Sequence, residues 1–124
     1  IVRKINLNRL EKIIIESCEQ SNRIKLPIIE KPISFESFLK KNENLDIIFG
    51  DLNANNRSLN KNKLNNNNPI CVLIGPEGDF TEKERQKILR LKNVQCLNFN
   101  QNILRSETAA ISALSIIVYN CLNL

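Results

Sequence analysis

Two short segments carry residues that are suited to binding a ligand or to catalysis. The first, Gly75-Pro76-Glu77-Gly78, follows directly on the apolar run from Ile70 to Ile74. Its two glycines allow the backbone to approach a ligand closely, and Pro76 stiffens the turn. The lysine and the serine or threonine that end a phosphate-binding loop are missing, which disfavours a nucleoside triphosphate. From this segment alone, a ligand-binding loop and an ordinary strand-to-helix turn both stay open.

The second segment, Ile103-Leu104-Arg105-Ser106-Glu107-Thr108-Ala109-Ala110, leads into an apolar helical pattern. Free amides at a helix start favour an acceptor-rich ligand, and Arg105 could hold a carboxylate or carbonyl oxygen. The plainer interpretation makes Ser106 a helix cap, Glu107 a favourable first-turn charge and Arg105 a solvated residue. The two segments together point to one ligand site.

The elements that position these segments follow from apolar periodicity and turn residues. We predict four helices: one from Asn8 to Gln20, one that begins near Ser34 and buries Phe35, Phe38 and Leu39, one from a Thr81/Glu84 capping box to about Leu91, and one that begins at a Ser106 cap. The predicted strands are Leu45 to Phe49, Ile70 to Ile74 and Val94 to Leu97. Alternating strands and helices predict an α/β fold with a mainly parallel sheet flanked by helices. In such sheets ligands bind beyond the carboxyl ends of the strands, where the first segment lies.

Composition narrows the class of protein. The 124 residues suit a single domain, 1–124, and contain no apolar run near the roughly 20 residues of a membrane-spanning helix. The absence of histidine argues against hydrolase triads, and four widely spaced cysteines argue against a metal site and for reduced, buried thiols. We therefore expect no metal, and a location in the cytoplasm or an organelle matrix. The start at Ile1 suggests a piece of a longer polypeptide.

Residues 52–68 differ in composition from the rest. Nine of these seventeen residues are asparagine, and the only charges are Arg57, Lys61 and Lys63. Such a segment buries too little apolar surface to offset its chain entropy. We predict a disordered, basic loop insertion that is dispensable for folding; a role in gripping RNA is the alternative.

Three motifs resemble one known family. Leu73 to Gly78 and Ile103 to Ala109 are similar to the paired signatures of the SPOUT-class methyltransferases that modify uridine N3 in small-subunit (16S-type) ribosomal RNA. Glu19-Gln20-Ser21-Asn22-Arg23, followed by Pro27, resembles a third signature of that family. The three motifs occur in the family's order and cover almost the whole chain except the asparagine-rich segment.

The resemblance implies an α/β knot fold with a C-terminal trefoil knot, S-adenosylmethionine as cofactor and ribosomal RNA as partner. It also implies a homodimer that uses the last helix, and an N-terminal RNA-binding domain outside this chain; the composition already predicts no metal and no membrane. It assigns Arg105 and Glu107 to catalysis and Gln20 and Arg23 to RNA binding. Arg105 would stabilise the uracil anion, and Glu107 or Glu77 would take the N3 proton if desolvation made it basic. The implied cofactor-binding residues are Phe49, Gly50, Ile74, Gly75, Pro76, Glu77, Gly78, Phe99, Ile103, Leu104, Thr108 and Ala109.

Other functions stay open. Asp79, Asn100 and Asn102 stand where the family usually has glycine, glycine and arginine. These departures motivate a module that kept the fold and the RNA affinity but lost catalysis. A methyltransferase acting on another RNA, or a small-ligand-binding α/β protein unrelated to RNA, would fit the same elements.

The last helix bears on the oligomeric state. We expect it to take part in a dimer interface, because its apolar residues offer more surface than one small sheet can cover: Ile111, Leu114, Ile117, Val118 and Cys121. An ordinary core helix is the alternative.

Overall fold

A computed structural model describes residues 4–55, 58–64, 67–76, 80–99 and 105–122. The chain divides into two compact units, Ile1–Phe38 and Leu39–Leu124. The predicted helices and strands all form, and their ends differ from the predicted ones by at most two residues. In chain order they are α1 (Leu7–Gln20), α2 (Phe35–Lys41), β1 (Asp46–Gly50), a 3-10 helix (Lys61–Lys63), β2 (Ile70–Leu73), α3 (Glu82–Leu89), β3 (Val94–Leu97) and α4 (Ser106–Leu122).

The first unit contains α1, which begins at an asparagine cap: Asn6 Oδ1 accepts from the Arg9 amide at 3.1 Å. Cys18 is buried and Ile14 half-buried, as the periodicity predicts, but Ile13 is exposed. Successive residues are about 100° apart around a helix. Ile13 therefore points away from the side that Ile14 and Cys18 share.

The next helix, α2, spans the boundary between the two units. Ser34 caps it as predicted, since its Oγ accepts from the Ser37 amide at 3.2 Å. The apolar residues Phe35, Phe38 and Leu39 are half-buried.

In the second unit, three parallel strands form a sheet in the order β2-β1-β3. Ile47 of the central strand is paired with Cys71 of β2 and Val94 of β3. β1 is buried from Asp46 to Phe49, which explains its continuous apolar run, since both faces of a parallel sheet are covered. The predicted mainly parallel sheet is confirmed.

Helices cover both faces of this sheet. Ile48 packs with Leu97 and with Ile117 of α4. Because successive side chains of a strand point to opposite faces, Phe49 projects the other way, where its ring meets Phe80 edge-on at 5.6 Å between centroids. Phe80 leads into α3, whose capping box forms as predicted: Thr81 Oγ1 accepts from the Glu84 amide, and Glu84 Oε2 accepts from the Thr81 amide.

The described part of the asparagine-rich segment, residues 52–68, contacts the sheet. Leu59 packs against the cluster of Ile48, Leu97 and Ile117. The Asn60 amide donates to Gln95 Oε1, and Gln95 Nε2 donates to the Asn60 carbonyl, each at 3.0 Å. These contacts order the chain around Asn60. Disorder of residues 52–68 as a whole stays a prediction.

All four cysteines are free thiols, but only Cys18 is buried; Cys71, Cys96 and Cys121 are half-buried, less than the apolar pattern predicts. Burial still raises the pKa of the Cys71 and Cys96 thiols. Among the helices of the described residues, none combines the length and apolarity needed to span a membrane. Residues 100–104, which precede α4, lie outside the described residues, so the trefoil knot stays a prediction.

Candidate functional site

The carboxyl ends of the three parallel strands bring together residues from three distant segments. A Cβ atom added to Gly50 would lie 2.8 Å from Ile74 Cδ1 and 2.8 Å from Phe99 Cε2. Both distances are too short for carbon atoms, which prefer about 3.5 to 4.0 Å. The backbone at Gly50 therefore passes this close to two half-buried apolar side chains because it carries no side chain.

The two motif segments are joined directly. Ser106 Oγ donates to the Gly75 carbonyl oxygen at 2.8 Å, across 31 positions of sequence. Ser106 is the first residue of α4 rather than its cap, which corrects the prediction. The Arg105 carbonyl accepts from the Ala109 amide at 2.8 Å, so Arg105 stands at the cap position. The serine hydroxyl binds the loop after β2 and ties the helix start to it.

The beginning of α4 faces solvent. Arg105, Glu107 and Thr108 are exposed, and Ala109 is half-buried. An exposed guanidinium beside a helix N-terminus is accessible to an anionic or carbonyl-bearing ligand. The role of Glu107 as a proton acceptor stays a prediction.

Phe49 lies behind the site. Its side chain is 1% exposed and packs on Phe80 across the sheet from α4, so it is not open to a ligand. Pro76 is exposed and directly follows Gly75. Four residues predicted for the site, namely Glu77, Gly78, Ile103 and Leu104, lie outside the described residues, as do Asp79, Asn100 and Asn102.

Asp51 is a residue at this edge whose contacts the sequence does not reveal. It follows Gly50 and is 3% exposed. Its Oδ2 accepts from Arg85 Nη2 at 2.9 Å and from Arg85 Nε at 3.1 Å. The hydrogen bond to Asp51 raises the pKa of Arg85, and the charges of Asp51 and Glu82 raise it further. Asp51 and Arg85 are 34 positions apart, and no periodic pattern in the sequence indicates a contact over that separation.

The residues predicted to bind RNA lie in the first unit. Gln20, at the end of α1, is exposed. Arg23 is also exposed, and its Nε donates to the Lys25 carbonyl at 3.0 Å. RNA binding by either residue stays a prediction. Within the described ranges, no group of three or more histidine, cysteine, aspartate or glutamate side chains is arranged to hold a metal ion.

Comparison with known proteins associates this geometry with one family. The model of the RNA methyltransferase domain matches residues 2–118. Ribosomal RNA small subunit methyltransferase E of Rickettsia conorii is 40% identical over 114 residues, covering 91% of this chain and 47% of that protein. The Bacillus subtilis protein of the same name is 30% identical over 120 residues, covering 90% of this chain and 46% of its own length.

Solved structures agree with the sequence relatives. A ribosomal RNA small subunit methyltransferase E from Neisseria gonorrhoeae, crystallised with S-adenosyl methionine, superposes with a TM-score of 0.75 at 29% identity. The match covers 97% of this chain and 52% of that one. The chain thus spans about half the length of the relatives it matches. The likeness confirms the α/β fold predicted from the sequence.

Proposed function

The chain belongs to the RNA methyltransferase domain family, and from this premise we propose that it transfers a methyl group from S-adenosylmethionine to N3 of a uridine in small-subunit ribosomal RNA. One observation carries the proposal: the Ser106 to Gly75 hydrogen bond joins the two motif segments at the carboxyl edge of the sheet. That edge is where parallel α/β sheets bind their ligands. We place this activity in the cytoplasm or an organelle matrix.

The described residues fit the cofactor. Ile74 and Phe99 close against the Gly50 backbone, so apolar side chains line this edge of the sheet. Such a surface suits a purine base, whose faces are apolar and whose edges form hydrogen bonds. We assign Gly50, Ile74, Gly75, Pro76, Phe99, Thr108 and Ala109 to holding it, together with Glu77, Gly78, Ile103 and Leu104.

The protein's own tasks are positioning and charge stabilisation. When bound, S-adenosylmethionine supplies an electrophilic methyl group, so in-line placement of the acceptor nitrogen provides much of the rate. We assign Arg105 to the uracil oxygens, on which negative charge grows as N3 loses its proton. We assign Glu107 to accept the N3 proton, and Gln20 and Arg23 to bind the RNA.

We further propose that the working unit is a homodimer formed through α4. The helix has two sides: Ala113 and Ile117 are buried in the chain, whereas Ile111, Leu114 and Val118 are more than half exposed. An exposed apolar stripe of this kind is typical of a surface that a partner covers. The predicted apolar surplus therefore lies on the outer side, while Ile117 belongs to the core.

Transfer from radiolabelled S-adenosylmethionine to unmodified small-subunit ribosomal RNA tests the function. We expect one N3-methyluridine, identified by mass spectrometry of the digested RNA, and a stop in primer extension because N3 can no longer pair. Arg105→Ala should lose methyl transfer while it still binds S-adenosylhomocysteine in calorimetry.

Three other outcomes would point to the alternatives. A chain that binds RNA in a salt-dependent manner without methyl transfer would be a non-catalytic module. Methylation of a different RNA would correct the substrate, and absence of RNA affinity would favour the small-ligand alternative.

A further inference from the structure

We propose that the ion pair of Asp51 and Arg85 positions the exit of β1 and thereby sets the affinity of the cofactor site. The proposal rests on the proposed function, because it identifies two positioning residues of that same site. Neither residue lies on the segments that carry the motifs, and Arg85 comes from α3, a helix that contributes no proposed cofactor contact.

Asp51 satisfies the polar groups of the turn that follows β1. Its amide donates to the Leu97 carbonyl at 3.0 Å, which extends the pairing of β1 with β3 past Gly50. Its Oδ1 accepts from the Asn53 amide at 3.0 Å, and its carbonyl accepts from the Ala54 amide at 3.1 Å. The backbone direction on leaving the sheet is therefore tied to the Asp51 carboxylate.

Arg85 makes that burial tolerable. A carboxylate taken out of water is costly unless it is paired and hydrogen-bonded, and here two guanidinium donors converge on Oδ2. Arg85 keeps 24% of its side chain exposed, whereas the Asp51 side chain keeps 2%. Removal of the guanidinium would leave a buried anion that reaches water only if the turn opens.

Opening of this turn would displace the cofactor site, because Asp51 is joined to Gly50 by one peptide bond. Gly50, the preceding residue, has no room for even a Cβ between Ile74 and Phe99. A shift of a few tenths of an ångström there would change the surface offered to the cofactor. The same turn has a second tie at this end of β3, where Asn98 Nδ2 donates to the Leu52 carbonyl at 3.2 Å.

The matched control is the second ion pair of Arg85. Arg85 Nη1 lies 3.6 Å from Glu82 Oε1, and the Glu82 side chain is 70% exposed. An exposed pair of this kind contributes little. Glu82→Gln therefore removes a charge from the same arginine without disturbing the turn, whereas Arg85→Gln and Asp51→Asn break the buried contact.

The test measures S-adenosylhomocysteine binding by calorimetry and amide hydrogen exchange, well below each variant's melting temperature. We expect Arg85→Gln to weaken binding about tenfold, which corresponds to about 1.4 kcal/mol, and to speed exchange of the Asp51 and Ala54 amides. Arg85→Lys should recover part of the affinity, and Glu82→Gln should match the wild type. The double variant Asp51→Asn/Arg85→Gln should bind S-adenosylhomocysteine no more weakly than the weaker-binding single variant, because both substitutions remove the same interaction.

A kinetic readout separates positioning from general destabilisation. In the transfer assay, Arg85→Gln should raise KM for S-adenosylmethionine and leave kcat at saturation within about twofold of the wild type. Unchanged affinity in a folded Arg85→Gln would overturn the proposal, as would equal losses in Glu82→Gln. If Arg85→Gln does not fold, Arg85→Lys decides by the same criteria. A wild-type chain that binds no S-adenosylhomocysteine would refute the proposed function itself, and the exchange rates would then still report whether the pair holds the turn.

Discussion

At the scale of single residues, the site depends on a missing side chain and on one hydroxyl. Gly50 leaves space for Ile74 and Phe99 to close around the backbone. Ser106 binds the Gly75 carbonyl and so joins a helix start to a strand end. Neither group performs chemistry, yet each sets the distance between parts of the site.

Substitution of Gly50 should be disproportionately harmful to cofactor binding. In Gly50→Ala the Phe99 ring must move, because the new Cβ would lie 2.8 Å from it. We expect S-adenosylhomocysteine affinity to fall at least about tenfold, while overpacking lowers stability by about 1 to 3 kcal/mol. Calorimetry with thermal melting would measure both. Asn53→Ala, at an exposed position three residues on, is the control and should change neither. Wild-type affinity in Gly50→Ala would mean that no ligand uses this edge.

Loss of the Ser106 hydroxyl should loosen the link between the motif segments. Ser106→Ala removes one partly buried hydrogen bond, which costs about 1 kcal/mol. We expect a lower urea midpoint and weaker S-adenosylhomocysteine binding. Ser106→Thr keeps the hydroxyl and should restore both values. If Ser106→Ala and Ser106→Thr lose affinity equally, the size of the side chain matters rather than the hydrogen bond.

At the scale of elements, local chemistry determines where α3 begins and distant contacts determine what it does. The Thr81/Glu84 capping box sets the helix start, and the fourth residue of α3 is the arginine that reaches Asp51. Between β1 and β2, the asparagine-rich segment is tied to the sheet by Leu59 and by the Asn60 main chain. This segment has few apolar residues, yet it is attached to the sheet at Leu59 and Asn60, a fixed point in an otherwise polar loop.

The fixed point at Asn60 should be measurable through its partner. Gln95 is buried and exchanges two hydrogen bonds with the Asn60 main chain, so Gln95→Ala leaves both groups of Asn60 without that partner. We expect a loss of about 1 to 3 kcal/mol in the free energy of unfolding. Gln86→Ala, an exposed glutamine on α3, is the control and should cost little. An unchanged melting temperature in Gln95→Ala would support a segment that is dispensable throughout.

At the scale of the whole molecule, α4 divides its apolar residues between the core and the surface. Ile117 packs with Ile48 and Leu97, while the next residue, Val118, is 51% exposed. One helix thus covers a face of the sheet and presents a second apolar stripe outward. The outward stripe is the surface proposed for the dimer.

A charge placed on that stripe should separate the subunits without unfolding them. Val118→Glu puts a carboxylate where only a second copy would bury it, and an unpaired buried charge is costly. Light scattering should show folded monomers, with circular dichroism unchanged. Ile117→Glu, one position along, should unfold the chain, and Gln86→Glu should leave the dimer intact. A wild-type chain that stays monomeric at high micromolar concentration would refute a dimer built on this chain alone.

The helices, the strands and the family are predictable from the sequence, because the signals for them are local. Apolar periodicity located the helices and strands, the Thr81/Glu84 box acts over three positions, and each signature motif is a continuous run. Which side chains contact each other depends on how the chain folds. Ser106 binds Gly75 rather than capping its own helix, Asp51 pairs with Arg85, and α4 turns Ile117 inward and Val118 outward. These outcomes depend on contacts between residues far apart in the sequence, such as the 31 positions between Gly75 and Ser106 and the 34 between Asp51 and Arg85. Their geometry arises when parallel strands and their helices pack together.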